Sequence, residues 1–485
     1  MDSMNQKTMR RSVARMILWS TIVFFVLLGG GLYLHARLPQ MRIARIEKLL
    51  AANNTAAARR LIGRVDDEAL AESYRAQCDY ADALSLMANG EWEEAHELFA
   101  NAGSYADAAD KAAECAYAHA LALFDAGDWD GAAEAFAALG AYSDAPERVN
   151  ACRYEKALVL EGEDDAAGAA ELYELLGSYR DSGERLRRLA VAMTGIPDAE
   201  EALEMLHGLS RADRERMLVL KAARSALPQD IIAVGFYHTV GLQSDGTVVA
   251  CGNNSFGQCD VGALHDVKAV AAGAYHTVAL HSDGTVSAIG RDSEGQCATA
   301  EWRNVTAIAT SDYATFGLTA DGTLLCTGFY DYTEPESWSG LTAVAGGSYN
   351  LAARREDGSV WSYPALKGLD ALRGAEAIDV NTGYAVAVLG DGSVASTNFD
   401  LSAWHDILAV SASSTAILAL DAQGRVQAHF FRESDRVDFS SVTDAVAIAA
   451  GGTHFAVVLS DGSVRVFGLT ANGAGRTADW SLAVD

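Results

Sequence analysis

Proline is scarce, six in 485 residues, too few for a proline-rich linker or a collagen-like segment even beside 44 glycines. Cysteine is sparse too: there are seven, with no C-x-x-C pair and no Cys/His metal spacing. An odd total leaves at least one thiol unpaired or intermolecular, and the three that recur at fixed spacing read as small buried apolar side chains. No G-x-S-x-G, P-loop, H-E-x-x-H or glycine-rich dinucleotide loop occurs, and the eleven histidines show no ligand spacing. These residues predict no metal, no cofactor and no enzymatic activity. Basic charge is the other shortage, with 37 Lys+Arg against 65 Asp+Glu. Residues 1–48 hold eight basic and two acidic side chains, so the remainder carries −34 against −28 for the whole chain. A body that acidic repels phosphate backbones, which argues against a nucleic-acid partner. With 50% hydrophobic and 21% charged residues, the chain still has the material for packed domains.

The first feature present is an uncharged run of nineteen residues, Met16 to Leu34 (MILWSTIVFFVLLGGGLYL). At ~1.5 Å per helical residue it reaches ~28 Å, about the hydrocarbon thickness of a bilayer. It is long for a signal peptide, no A-x-A site follows it, and it has no polar face for a surface helix. The expectation is a short basic tail over 1–15 and a transmembrane helix over 16–35. Four basic side chains flank the run on either side, so orientation rests on the shortness of the tail. A single-pass signal anchor at the cell membrane is expected, tail in the cytoplasm and acidic body outside.

Residues 41–225 repeat. Cys78, Cys115 and Cys152 are 37 apart, as are Gly103, Gly140 and Gly177, which open the near-copies GSYAD, GAYSD and GSYRD. Between these marks lie paired helical stripes, such as Tyr117, Leu121 and Phe124, then Ala132, Phe136 and Leu139. Neither helix buries its stripe alone, so stacking into an all-α solenoid is the solution. The pattern Gly90-Glu91-Trp92, Ala95, Phe99 and its copy Gly127-Asp128-Trp129, Ala132, Phe136 resemble the tetratricopeptide motif, lengthened to 37 residues. The third copy departs from it, with Asp164, Ala166, Ala169 and Tyr173. The resemblance implies an interaction or spacer array and no chemistry.

From Pro228 onward the period changes to two. Asp-Gly pairs at Asp245, Asp283, Asp321, Asp357, Asp391 and Asp461, with a degenerate Ala422-Gln423-Gly424, put glycines 38, 38, 36, 34, 32 and 38 residues apart. Each pair is expected to make a tight two-residue hairpin. A short strand with a small residue precedes each, at Ala233, Ala269, Ala307, Ala343, Ala377, Ala409 and Ala447. Seven small antiparallel sheets leave exposed edges and apolar faces that a closed ring hides, which predicts a seven-bladed β-propeller over 229–485. The fold class is thus a transmembrane helix, an all-α helical repeat solenoid and an all-β propeller.

Gly273-Ala274-Tyr275-His276-Thr277-Val278-Ala279-Leu280, then Asp283-Gly284, Gly290 and Gly295-Gln296, resemble the repeat of the regulator of chromosome condensation family. Gly235-Phe236-Tyr237-His238 with Gly257-Gln258, and Gly451-Gly452-Thr453-His454, match it as well, while the fourth to sixth units have lost the His and the Gly-Gln. The family's founder exchanges nucleotide on a small GTPase and binds chromatin. Its bacterial branch includes an inhibitor of β-lactamases, in which an aromatic before the His position contacts the partner. That column here reads Tyr237, Tyr275, Tyr313 and Tyr349, with Tyr384 one place later and Thr415 and Thr453 without aromatics. The resemblance implies that these tyrosines bind a ligand, since tyrosine offers stiff contact area with a polar tip; the alternative is that they pack between blades. His238, His276 and His454 read as hydrogen-bond donors that fix blades. The insertion from Phe329 to Glu334, with Trp338, is a second aromatic, acidic patch.

The expected function is a membrane-anchored, non-catalytic binding or scaffold protein, its propeller presented on a helical-repeat stalk to a protein or cell-envelope component. The alternative is a regulator of an enzyme, either a cell-wall hydrolase inhibitor or a GTPase exchange factor.

Overall fold

The computed structural model describes residues 2–329, 333–470 and 472–484, apart from the side chains of 2–14, 17, 25, 29–36 and 333. The chain divides into two compact units, Met1–Val159 and Leu160–Asp485.

The first unit is helical: α1 (Asp2–Ala51), α2 (Thr55–Ile62), α3 (Glu68–Asn89), α4 (Trp92–Ala102), α5 (Ala108–Asp125), α6 (Trp129–Ala138) and most of α7 (Ala145–Gly162). Each helical pair buries one apolar stripe. Phe99 and Phe136 are wholly buried, as are Cys78, Cys115 and Cys152, whose thiol pKa values burial pushes up. The glycine-led pentapeptides turn the chain between pairs. Their fourth residue takes the left-handed conformation without being glycine: Ala106 at φ +50°, Ser143 at +51° and Arg180, in the second unit, at +49°. The pentapeptide aspartate receives a hydroxyl from the preceding pair, Tyr80 to Asp107 and Tyr117 to Asp144.

The apolar run lies inside α1, and here the sequence expectation is corrected. Among the described residues no helix is long and apolar enough to cross a membrane. Met16, Leu18–Phe24 and Val26–Leu28 are the residues of the run whose side chains are described. The remainder of the predicted span at 16–35 lies outside the described side chains. The transmembrane helix over 16–35, the single-pass signal anchor and the location at a cell membrane are therefore withdrawn.

The second unit continues with α8 (Ala166–Leu176), α9 (Ser182–Thr194), α10 (Ala199–Leu206) and α11 (Arg211–Ser225). Tyr173 fills the place of the earlier phenylalanines, wholly buried, its hydroxyl donating to Glu161 Oε2 at 2.8 Å. Then come seven three-stranded antiparallel sheets, each contiguous in sequence. Their inner, middle and outer strands run Ile232–Val234, His238–Leu242, Val248–Gly252 (blade 1); Val267–Ala272, His276–His281, Val286–Gly290 (2); Val305–Thr310, Ala314–Thr319, Leu324–Gly328 (3); Leu341–Gly346, Leu351–Arg355, Val360–Tyr363 (4); Ala375–Asn381, Tyr384–Leu389, Val394–Ser396 (5); Ile407–Ala412, Ala416–Asp421, Val426–Phe430 (6); and Ala445–Ala450, His454–Leu459, Val464–Gly468 (7). All seven inner strands line one axial channel and blade 7 packs on blade 1, the closed ring of a propeller.

Two details differ from the sequence reading. The Asp-Gly hairpins are longer than two residues. In blade 2 the Gly284 N–H donates to His281 O at 3.0 Å and the His281 N–H to Thr285 O at 2.9 Å. Ser282 and Asp283 therefore form the turn centre, and only the glycine, at φ +79°, is left-handed. Asp283 Oδ1 holds the turn by accepting the Thr285 N–H at 2.9 Å and hydroxyl at 2.6 Å. The alanine column also slips in blade 1. Strand register places Ala233 level with Ala271, Ala309, Ala345, Asp379, Ser411 and Ala449, a layer beyond the other six alanines of that column.

The last helices pack against the hairpin-turn ends of blades 4–6, where the inner strands begin. Arg224 donates to the carbonyls of Leu389, Ile407 and Leu408, Arg216 pairs with Asp406, and Arg373 pairs with Glu201. A Cβ at Gly390 would come 2.8 Å from Thr194 O, so helix and blade meet closely.

Candidate functional site

The site grows from the turn joining each inner strand to its middle strand. In blade 2 the Gly273 N–H donates to His276 O at 3.0 Å, closing a four-residue turn with Ala274 and Tyr275 at its tip. Equivalent bonds join Gly235 to His238, Ser311 to Ala314, Gly347 to Asn350, Ser413 to Ala416 and Gly451 to His454. The third turn residue is thereby carried to the rim of the channel while the fourth starts the middle strand and points inward.

The inward position locks blades together. His238 Nε2 meets Thr277 Oγ1 at 3.0 Å, His276 Nε2 meets Thr315 Oγ1 at 3.1 Å, and His454 Nε2 meets Thr239 Oγ1 at 2.9 Å, each threonine belonging to the next blade. Those threonine hydroxyls donate to Gln258 O, Gln296 O and Ala474 O. A hydroxyl has one proton, so each histidine donates from Nε2. Burial pushes the imidazoles down, His238 to about 3 and His276 and His454 to about 4. The turn glycine is required because a Cβ at Gly273 would lie 2.2 Å from the His276 ring.

Of the tyrosines singled out from sequence, four lie on the rim. Tyr237 and Tyr275 are 6.4 Å apart between ring centroids, and Tyr313 and Tyr349 are 6.2 Å apart. Arg291 bridges the two pairs, its guanidinium 5.8 Å from the Phe256 ring, which packs edge-on against Tyr275, and 5.4 Å from the Tyr313 ring. Phe236 packs against Tyr237 and Phe329 against Tyr313, completing an aromatic arc over blades 1–4. Phe256, Phe329 and Tyr349 are 48%, 56% and 45% exposed.

Tyr384 is elsewhere. Asn381 pairs directly with Tyr384, leaving Thr382 and Gly383 at the tip, so this tyrosine holds the histidine's position. It is 4% exposed, stacks edge-on against Phe399 and Phe431, and donates to Ser413 O of the next blade at 2.7 Å. Asn350 plays the same linking part in blade 4, accepting the Gly383 N–H at 3.1 Å. Sequence reasoning missed both links, although each falls at the residue aligned with the histidines. Of the second patch, residues 330–332 lie outside the described ones, and Trp338 is buried against Trp361.

The channel itself carries Asp379, which accepts the Val380 and Ala412 N–H groups at 2.7 Å. Burial pushes this carboxyl up to about 7 against those hydrogen bonds. No group of three or more metal-ligating side chains occurs among the described residues.

No curated protein matches the chain. Among solved structures it is similar to the CRINKLY WD40 ectodomain of the Arabidopsis thaliana receptor kinase ACR4, at 16% identity, 52% of this chain, 98% of that one and a TM-score of 0.43. It is also similar to Prp20p of Saccharomyces cerevisiae, studied for its binding to Gsp1p and histones, at 18% identity, 52% and 74% coverage and a TM-score of 0.31. The C-terminal domain of gp131 from bacteriophage phiKZ shares 9% identity, with 54% and 99% coverage and a TM-score of 0.35. Residues 230–258 and 267–296 match the regulator of chromosome condensation repeat, and the ring that follows the helical region is therefore a propeller carrying that repeat.

Proposed function

We propose that this is a non-catalytic recognition protein whose propeller captures a protein partner through the rim of blades 1–4. The regulator of chromosome condensation repeats point to a protein-binding or regulatory role. The observation that carries the finer reading is the unbroken arc through Tyr237, Tyr275, Arg291, Tyr313 and Tyr349. Contiguous aromatic surface of this kind, stiff and with polar tips, is what binding hot spots are built from. The buried histidines are neutral and tied to structure, which leaves them no acid–base role. The helical repeats over 41–225 are a second working part, a scaffold or spacer, distinct from the propeller over 229–485.

The test is the full chain with Tyr275, Tyr313 and Tyr349 all replaced by Ala. Partners cross-linked by the parent protein should be lost, at least tenfold by quantitative mass spectrometry, with far-UV dichroism and melting temperature unchanged. Undiminished capture by a folded variant would overturn the reading.

A further inference from the structure

The turns of all seven blades converge on a cavity of about 60 Å³ at one end of the channel. At ~10–15 Å³ per water-sized group this holds roughly four to six such groups, room for a primary ammonium and its last methylenes. Of the second turn residues that line it (Phe236, Asp312, Ser348, Ser414 and Gly452), only Asp312 is charged. Its backbone ties three turns together: the Ala274 N–H donates to Asp312 O at 3.2 Å, and the Asp312 N–H donates to Ser348 O at 3.3 Å. Its carboxyl receives the Ser348 side chain and, among the described residues, no cation. No Lys, Arg or His lines the cavity among the described residues. Arg291, the cation packed on Tyr313, is tied to Ser293 Oγ and Glu294 Oε1 instead. Ser311 Oγ lies buried in the same wall without a hydrogen-bond partner. A carboxylate with no counter-charge among the described residues, set among the hydroxyls of Thr310, Ser311, Ser348, Ser413 and Ser414, complements a cation that donates in several directions. Burial holds the Asp312 carboxyl up at about 6, against the hydrogen bond from Ser348.

We propose that this end of the channel is a socket for a lysine side chain of the protein partner, Asp312 meeting the ammonium and the aromatic rim of blades 1–4 flanking the aliphatic stem. A lysine ammonium brings three donors and no acceptor, and aromatic faces attract it further. The net charge of −28 favours a basic partner at long range as well. The assignment rests on the rim being the recognition face, and its test separates the two.

The full chain is titrated with acetyl-Gly-Lys-Gly-amide, with the same peptide acetylated at Nε, and with methylamine, followed by NMR line shifts. Affinity for the lysine peptide should fall at least tenfold on Nε-acetylation and at least tenfold in Asp312→Asn, with methylamine at least tenfold weaker than the peptide. Equal binding of the acetylated peptide overturns the socket without relying on any variant. Unchanged affinity in a folded Asp312→Asn protein does the same, and methylamine as tight as the peptide overturns the assignment to a protein lysine. If Asp312→Asn captures the cross-linked partner as well as the parent does while the triple tyrosine variant fails, the socket falls and the rim stands.

Discussion

Replacing His276 by Asn should cost stability at neutral pH and almost nothing in acid. His276 is wholly buried and its Nε2 donates to Thr315 Oγ1 at 3.1 Å. Asn is chosen because Asn350 stands at this position in blade 4 and keeps a link to the next blade. At pH 7.5 the variant loses part of the ring's packing and one inter-blade hydrogen bond, together ~2 kcal/mol. Acidification then acts on the parent protein alone. The imidazole titrates at about 4 in the folded protein against 6.5 unfolded, so protons favour the unfolded chain. The histidine's contribution is complete above 6.5 and is lost as pH falls toward 4. Between pH 7.5 and pH 5 that loss amounts to ~2 kcal/mol, so the gap between variant and parent should close. Carboxyls such as Asp379 titrate with the opposite sign, but they are common to both proteins and cancel in the difference. The assay is guanidinium unfolding of both proteins at the two pH values. A gap that stays constant within ~0.5 kcal/mol would refute the picture of a neutral, buried, donating imidazole.

Asp379→Asn tests the opposite sign. The Asp379 carboxyl is pushed up to about 7 from 3.8, so its contribution is complete below 3.8 and is lost as pH rises through 7. The variant, which cannot ionise, should melt several degrees above the parent at pH 8.5 and level with or below it at pH 5; a difference independent of pH would count against the burial argument. In the helical unit, Ala106→Gly should stabilise by ~0.5–1 kcal/mol, because Ala106 sits at φ +50° and a non-glycine residue pays for that conformation. Denaturant unfolding followed by helical dichroism checks this, and a loss of stability would show that the turn is unstrained.

How much of this was legible in the sequence depends on the range over which each residue acts. Repeat counts were legible because a period of 37 residues in one half, and seven turn glycines in the other, are local signals repeated many times. The blade-linking histidines were legible because the same His stood in three units. Tyr384 was misplaced because blade 5 makes its turn with Thr382 and Gly383 at the tip, and a one-residue shift exchanges rim for interior. Asp312 carried no signal at all. Its neighbours across the cavity come from other blades, and only the closed ring brings the glycines and serines of those turns around one carboxylate. The uncharged run at 16–34 shows the reverse case, a strong local signal that predicted a span the described helices do not provide.

The limits of the aromatic arc follow from packing rather than from the drift of a repeat. At the seam of the ring, Thr239 of blade 1 donates to Ala474 O, as Thr277 and Thr315 donate to Gln258 O and Gln296 O. The C-terminal segment thus takes the place that the preceding blade's loop takes elsewhere. Trp480 lies over Gly241 as Trp302 lies over Gly317, and a Cβ at either glycine would come within 3.0 Å or 2.9 Å of the indole. The Ala483 N–H completes the closure by donating to Leu242 O at 3.0 Å. On the rim of that seam, Phe236 leans over blade 7. A Cβ at Gly452 would lie 2.5 Å from its ring, and the Thr453 hydroxyl donates to Phe236 O at 2.8 Å. A tyrosine at the Thr453 position would give up that hydroxyl bond, so blade 7 presents small residues where blades 1–4 present rings. The arc therefore begins at Phe236, where ring closure requires it to begin, and ends at Tyr349, beyond which blade 5 has turned its tyrosine inward to join the next blade.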